Sequence, residues 1–495
     1  MIQLAIITIS IFLTIFCRYE TGSMELAWWE AYVSSLTMVA LFILWLMKPS
    51  LFKIGKEKTF KNCMFVLALT GVSSIFFFSK TNSSIYAMCI TLSFPSIIMF
   101  WDSDKLYIKV LVTAALLACC IAVIYSSSRT GMISIAVSLL YIVCIVFKFR
   151  YKKVLLTGVL IIGTFAAILL FVKKDSSVGR GFILENTARM ILDKPLGWGK
   201  GGFEANYMLY QSNYFTNNTD ERAAMLADDI KHPLNEYMYI ATNYGIHVLL
   251  IILGIIAFIL VTLYKINNRE SWCFIHFIAL LLVWGMFSYP CSISFVAVML
   301  LVYIPFVPRM ETLLFKNWII RYSLILFFVI YGGTQLFAMN NERRWNWAIK
   351  DYRNGEKESA MAVFDKYANY SIGNAAKLFS LATIEYNNKD YARCIEVCSE
   401  CKLYMASYEL ELMLANCYSF ACENEKALTH FSQAHYMCPN RFVPLYKQFK
   451  IYNELGDTAK LKEVGNEILT KKIKVPSRKI DIILNNVKYV LKNMQ

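Results

Sequence analysis

The sequence predicts an all-α protein: a polytopic membrane helix bundle with one large extramembrane loop, followed by a C-terminal α-solenoid of helix pairs. Three observations carry this. The chain of 495 residues is 57% hydrophobic and only 17% charged, with mean hydropathy +0.46, too apolar for an ordinary soluble enzyme. Apolar segments able to cross a hydrocarbon core of about 30 Å, roughly 20 residues each, recur from Ile2 to Phe337. Beyond Asn340 the composition changes, and alanines at 360, 392, 427 and 459 recur 32, 35 and 32 residues apart.

About eleven transmembrane segments are expected, near 2–17, 31–47, 62–79, 84–101, 106–125, 131–147, 154–172, 238–264, 272–289, 292–307 and 318–338. The first lacks a basic leader and a small-residue cleavage site before Arg18, so it is expected to stay as a helix. The net charge of +15 reports topology, not nucleic acid, because much of it sits in short loops between apolar segments. Lys48, Lys53, Lys56, Lys58 and Lys61 share one loop, and Lys148, Arg150, Lys152 and Lys153 another. Both should be cytoplasmic, as should Lys265, Arg269, Arg309 and Lys316. Alternation then puts the N-terminus inside, and the 173–236 loop, the Ser126–Thr130 turn and the C-terminal domain outside. In a Gram-negative cell that is the periplasmic face of the inner membrane.

The 173–236 interval is the one long polar break in the apolar series, and it holds most residues able to do chemistry. Just before it, Ser126-Ser-Ser-Arg-Thr-Gly131 sets Arg129 at the membrane boundary, where an arginine either snorkels or meets an anion. Arg180 follows Gly179 and precedes a helical run over 182–192, with Ile183, Thr187, Met190 and Ile191 on one face. That order predicts Arg180 at a helix N-terminus, where free amides and the dipole favour an anion. Arg189 falls on the opposite side and is expected to be solvated or to face lipid headgroups.

Pro195-Leu-Gly-Trp-Gly-Lys-Gly-Gly202 follows. It has no preceding strand and no Gly-Lys-[Ser/Thr] ending, so tight turning, not a nucleotide loop, is expected. Phe203, Tyr207, Tyr210 and Tyr214 then form an aromatic stripe on one helix. Such a stripe either stacks on sugar rings or forms an interfacial or core face. His232-Pro-Leu-Asn-Glu-Tyr237 closes the loop. Pro233 suits a first helical turn, which predicts His232 as N-cap with Glu236 in the opening turn as a capping partner, the imidazole kept neutral by the helix dipole. A plain capping role is the alternative. His247 and His276 lie in apolar segments, where packing is the default.

Together, Ser128-Arg129-Thr-Gly131, Gly179-Arg180, Pro195 to Phe203, His232 to Tyr237 and Tyr244-Gly245 resemble the O-antigen ligase superfamily, which also holds O-antigen polymerases and protein O-oligosaccharyltransferases. The likeness covers roughly 121–260. Two positions depart from it: many relatives read His-Pro-His-Asn where this chain has Leu234, and an aromatic residue is common where Leu184 stands. The resemblance implies a glycan donor on polyprenyl diphosphate and an acceptor hydroxyl on lipid A core, on a protein or on another glycan. It implies an inverting reaction with His232 as base and Arg129 and Arg180 on the diphosphate. Asn235, Glu236, Tyr207 and Tyr210 are supporting candidates. No Asp-x-Asp motif lies in the loop, so no metal and no cofactor are expected.

The expected division is therefore a transmembrane glycan-transfer domain over 1–338 and a periplasmic repeat domain over 340–495. Tyr352, Tyr386 and Tyr452 share the alanine period, and the pattern resembles tetratricopeptide repeats, helix pairs that meet at small residues. Such a domain suits a protein partner or a bracing role. Cys394, Cys398 and Cys401 fall near one helix face, as core residues or, in an oxidising compartment, as disulfide partners. Two other function classes fit the sequence less well. A lipid-linked sugar transporter predicts polar residues within several spans, and these are sparse. A non-catalytic receptor gives no reason for Arg129, Arg180 and His232 to occur in this arrangement.

Overall fold

The computed structural model describes residues 56–76, 82–102, 104–147, 174–292, 318–367 and 374–494, with isolated positions in 36–47 and 296–300. Among them all regular structure is helical. The helices are α1 (Lys56–Ser73), α2 (Ser83–Leu92), α3 (Phe94–Ile98), α4 (Leu106–Tyr125), α5 (Arg129–Phe147), α6 (Lys174–Asp193), α7 (Gly202–Asn217), α8 (Glu221–Leu226), α9 (Glu236–Tyr244) and α10 (Ile246–Ile266). They continue with α11 (Arg269–Phe287), α12 (Trp318–Asn354), α13 (Lys357–Tyr367), α14 (Ala375–Asn388), α15 (Tyr391–Cys401), α16 (Tyr408–Phe420), α17 (Asn424–Met437), α18 (Val443–Leu455), α19 (Thr458–Thr470) and α20 (Arg478–Lys492). The chain divides into two units: Met1–Val172, Leu234–Glu236 and Ile252–Val363, and Lys173–Pro233, Tyr237–Ile251 and Phe364–Gln495.

Among the described residues, five helical stretches are long and apolar enough to cross a membrane: Ser83–Trp101, Leu106–Tyr125, Ile246–Ile266, Arg269–Phe287 and Arg321–Asn354. Lys61–Phe76 and Arg129–Ile142 are shorter apolar helices. The segments expected at 2–17 and 154–172 lie outside the described residues, as do most of those at 31–47 and 292–307. The span expected over 238–264 is two helices, because Gly245 at φ +91° separates α9 from α10. In turn α12 runs unbroken through Asn340 to Asn354, across the change in composition.

The first unit is held by a core of Met64, Leu67, Ile90, Phe94, Cys119, Val123, Phe277 and Trp284. Small residues let its helices approach: a Cβ on Gly131 would lie 2.7 Å from Val123 Cγ1 and 3.0 Å from Ala87 Cβ. Two of the polar side chains inside it pair across helices, as an apolar surrounding favours. Trp284 Nε1 donates to Thr91 Oγ1 at 2.9 Å, and His276 Nε2 lies 3.0 Å from Ser138 Oγ, its ring stacked on Tyr141. The packing expected of His276 is thus observed, whereas His247 is exposed at the start of α10.

In the second unit the C-terminal helices pack directly on the loop. Ile183 and Met190 of α6 and Phe203, Tyr207 and Met208 of α7 share one core with Ala406, Tyr408, Ala434, Met437 and Cys438. Gln211 Nε2 donates to the Met437 carbonyl at 2.6 Å, and Asn440 donates to the Ala224 and Ala227 carbonyls. Arg441 pairs with Asp228 at 3.0 Å and Lys472 with Glu221 at 2.5 Å.

The C-terminal sequence repeats one local device four times. Gly355, Lys389, Cys422 and Gly456, spaced 34, 33 and 34 residues apart, all have positive φ. Each ends a helix, and the following residue donates back five positions: Glu356 to Asp351, Asp390 to Glu385, Glu423 to Tyr418 and Asp457 to Tyr452. This is the Schellman closure, which satisfies carbonyls left open at a helix end. A new helix starts one residue later. Its fourth residue is Ala360, Cys394, Ala427 or Leu461, each at most 2% exposed. This register corrects the alanine period, since Ala392 and Ala459 are exposed and the buried contact falls two residues on. Cys394, Cys398, Cys401, Cys417 and Cys438 are buried free thiols, so the core role expected of the first three is observed.

Candidate functional site

Arg129 is the first residue of α5. Ser127 takes a left-handed φ of +54°, which ends the preceding helix and turns the chain. Ser128 then caps α5: its Oγ accepts the Gly131 amide at 3.2 Å and its carbonyl accepts Met132 N at 3.0 Å. Half-buried Arg129 therefore sits beside the positive end of a helix, the setting the sequence assigned to Arg180.

Arg180 does not occupy a helix N-terminus. Helix α6 starts at Lys174, so Arg180 lies in its second turn. Gly179 and Gly181 do not break the helix; each costs about 1 kcal/mol relative to alanine. The buried face predicted for this helix is present, with Ile183, Thr187, Met190 and Ile191 all buried. Arg189 is exposed, as expected, and its guanidinium meets Glu185 at 2.7 Å and lies 5.5 Å from the Tyr214 ring.

The glycine run is a backbone clasp. Trp198 N donates to the Thr242 carbonyl and Gly199 N to that of Asn243, both at 2.8 Å, while Ile246 N donates to the Pro195 carbonyl at 3.0 Å. Gly197 N and Gly202 N are used within the turn itself, by Lys194 and Gly199 carbonyls. With those four amides committed, the run is built for turning, not for holding a phosphate. The approach is close enough to exclude side chains: a Cβ on Gly197 would meet Gly245 N at 2.6 Å, and one on Gly245 would meet the Leu196 carbonyl at 2.6 Å.

His232 lies outside the helix it was expected to cap. Helix α9 begins at Glu236, because Leu234 adopts φ +55° and interrupts the run started by Pro233. The imidazole is nonetheless held neutral, by a different cause: burial lowers its pKa to about 4. Its ring stacks on Tyr239, with centroids 4.5 Å apart at 27°. Tyr239 Oη donates to Glu204 Oε1 at 2.8 Å. Burial, and then the Glu204 carboxylate, push the Tyr239 phenol up, so it stays a donor. Asn235 donates to the Met286 carbonyl at 3.1 Å. Burial raises the Glu236 carboxyl, against an opposing bond from Cys291.

Tyr207 is fully buried, its hydroxyl donating to Gln211 Oε1 at 3.2 Å, and Phe203 stacks on it. Tyr210 is half-buried and donates to Asp193 Oδ2 at 2.5 Å. Of the two readings of the aromatic stripe, the core face describes Phe203 and Tyr207. Arg180, Tyr207, Tyr210 and His232 fall in one unit, and Arg129, Asn235 and Glu236 in the other. Two residues linked to His232 escaped the sequence reading, Tyr239 against its ring and Glu204 behind Tyr239, and a third, Asp229, lies three positions before it in the chain. Glu204 and Tyr239 are 35 positions apart and follow no motif. Asp229 Oδ1 is buried without a hydrogen-bond partner among the described residues, and burial raises that carboxyl. Among the described residues no cluster of three or more His, Cys, Asp or Glu could hold a metal ion.

A search of curated proteins gives no match to the chain. The family model described as O-antigen ligase matches residues 114–253. That interval contains Arg129, Arg180, the glycine clasp and the His232–Tyr237 motif, and with the apolar helices it supports a multi-pass membrane protein of glycosyltransferase-like function. Over this segment the chain is similar to the O-antigen ligase family.

Proposed function

We propose that this protein transfers a glycan from a polyprenyl diphosphate carrier to an acceptor hydroxyl at the periplasmic face of the inner membrane, as an O-antigen ligase whose acceptor is lipid A core. The observation that carries this reading is a half-buried histidine stacked on Tyr239 within the family-matched segment, its pKa lowered by burial. In the reaction, His232 takes the acceptor proton while the acceptor oxygen attacks the anomeric carbon and inverts it. The bond from that carbon to phosphate breaks, and its electron pair leaves with the polyprenyl diphosphate. Arg129 and Arg180 hold the developing charge, since guanidinium pairs with phosphate oxygens through a two-pronged fork.

An imidazole of pKa about 4 is a weak base in the free enzyme. The donor corrects this, because a diphosphate anion within about 4–6 Å favours imidazolium and raises the pKa towards the operating pH. Proton abstraction is thereby coupled to donor binding. The reaction is read as metal-independent, the two guanidiniums taking the charge. Protein O-oligosaccharyl transfer is the second reading. The packing of the C-terminal helix pairs on the loop favours it, because a tetratricopeptide-like surface beside the site suits a polypeptide acceptor.

The deciding experiment compares wild type with His232→Ala in the native host at matched protein level, profiling lipopolysaccharide, periplasmic glycoproteins and lipid-linked glycans. A loss of about 10²- to 10⁴-fold in transfer is expected for a missing base. Loss of long-chain lipopolysaccharide with glycan retained on the carrier identifies the ligase. Loss of protein glycans alone identifies the oligosaccharyltransferase. Unchanged glycans in all three pools overturn the proposal.

A further inference from the structure

We propose that Glu204 and Tyr239 are positioning residues for His232, seated by the C-terminal helices, so that the repeat domain sets the orientation of the imidazole. This deepens the transfer reading, on which its relevance to catalysis rests. The contacts form one path. The Ala406 amide, in the loop between α15 and α16, donates to the Glu204 carbonyl at 2.9 Å. Ala406 and Tyr408 also belong to the core that buries Phe203 and Tyr207 on the same helix as Glu204. The Glu204 carboxylate accepts from Tyr239 Oη at 2.8 Å, and the Tyr239 ring lies against His232.

Each link restricts the next. The first turn of α7 is fixed from two sides, by Ala406 and by Asn243 Oδ1, which accepts the Phe203 amide at 2.8 Å. Glu204 thus presents its carboxylate from a rigid base. Its Oε2 is buried without a hydrogen-bond partner among the described residues, a cost tolerated where the other oxygen has a task. A phenol tied at its hydroxyl cannot swing, so its face defines one plane for the imidazole. His232 lies in an irregular stretch after Lys231 and has no helix to orient it. The titratable group that faces it is Tyr239 from α9, which bonds Glu204 from α7.

The test uses full-length protein in detergent and diethylpyrocarbonate, which acylates neutral imidazole. Labelling of the His232 peptide is followed by mass spectrometry from pH 4 to 8, which needs no identified acceptor. Tyr239→Phe and Glu204→Ala each remove the phenol–carboxylate bond. Each should raise the labelling rate by roughly 3- to 10-fold, the worth of one hydrogen bond, and the double variant should do no more than either. Glu204→Gln keeps an acceptor and should label like wild type. Tyr239→Ala removes the covering ring, and the labelling midpoint should rise from about 4 towards the ordinary histidine value. Wild-type rates in both Tyr239→Phe and Glu204→Ala, or additive effects in the double variant, overturn the proposal. These variants should lower kcat more than they raise KM for transfer. If His232→Ala leaves all glycans unchanged while labelling shifts as stated, the positioning holds and the transfer reading fails.

Discussion

The turn at 126–131 and the turn at 232–236 are built alike and do opposite things. Each leads into a helix and contains one non-glycine residue in left-handed backbone, Ser127 at φ +54° and Leu234 at φ +55°. In the first, the left-handed residue precedes the charged group, so Arg129 emerges as the first residue of a capped helix. In the second it follows the functional group, so His232 is left outside the helix that starts at Glu236. The order of kink and side chain decides whether a group is assisted by a helix dipole or must be tuned by burial. Arg129 gains the dipole; His232 is kept neutral by desolvation.

The largest effect that can break this comparison comes from the two arginines. Arg180 sits in the second turn of α6, whereas an anion held by Arg129, as proposed, would also meet a helix start worth roughly 0.3–1 kcal/mol and up to about 2. Replacing the fork by a point charge should therefore cost more at Arg180, which lies away from a helix start. Arg180→Lys is expected to lose roughly 10²-fold in transfer and Arg129→Lys roughly 10-fold, two or one factors of about 1.4 kcal/mol. Lipid-linked donor consumption by membranes at matched protein level measures both. Equal losses would mean that the helix start contributes nothing to Arg129.

A smaller effect sharpens the His232 side. As a base, His232 must be neutral, so activity falls as pH drops through its pKa. The profile of kcat/KM reports the free enzyme, and its acid limb should lie near 4, well below an ordinary histidine at about 6.5. The limb of kcat, which reports the donor complex, should lie higher, because the diphosphate raises the pKa. Stability carries the same signature with a definite sign. Between about 6.5 and 4 the unfolded chain binds a proton that the folded one refuses, so the fold loses stability as pH falls through that window. Coincident limbs near 6.5 would show that burial does not tune His232.

Much of the architecture was legible because it rests on composition and on local pattern. Apolar length identified the described spans Ser83–Trp101 and Leu106–Tyr125, and the Ile183, Thr187, Met190, Ile191 face is buried as its periodicity required. The errors have a common origin in backbone. Gly179 reads as a breaker but is carried inside α6, and Pro233 reads as a helix start but is overruled by Leu234. The alanine period was two residues out of register at Ala392 and Ala459, because the true repeat is the left-handed cap at 355, 389, 422 and 456, which glycine, lysine and cysteine all occupy. The Glu204–Tyr239–His232 path was illegible, since it depends on how α7 meets α9, 35 residues away in sequence.

The smallest effect concerns the two left-handed residues themselves. Leucine pays about 1–2 kcal/mol for that conformation, whereas asparagine visits it routinely by bonding locally through its short polar side chain. Serine at 127 is small and exposed, and its turn can relax towards solvent, while Leu234 is half-buried between Pro233 and Asn235. Leu234→Asn should therefore stabilise the purified protein by about 0.5–1 kcal/mol, seen as a rise in the apparent Tm in detergent, and Ser127→Asn by less. The geometry requires that this gain leave His232 outside α9, because asparagine at 234 holds the same kink. Leu234→Ala keeps the strain but loses side-chain contacts, so it should lower the Tm. If Leu234→Asn lowers it as much, side-chain packing outweighs strain at this turn, and the kink is imposed by the leucine's surroundings, unlike the turn before Arg129.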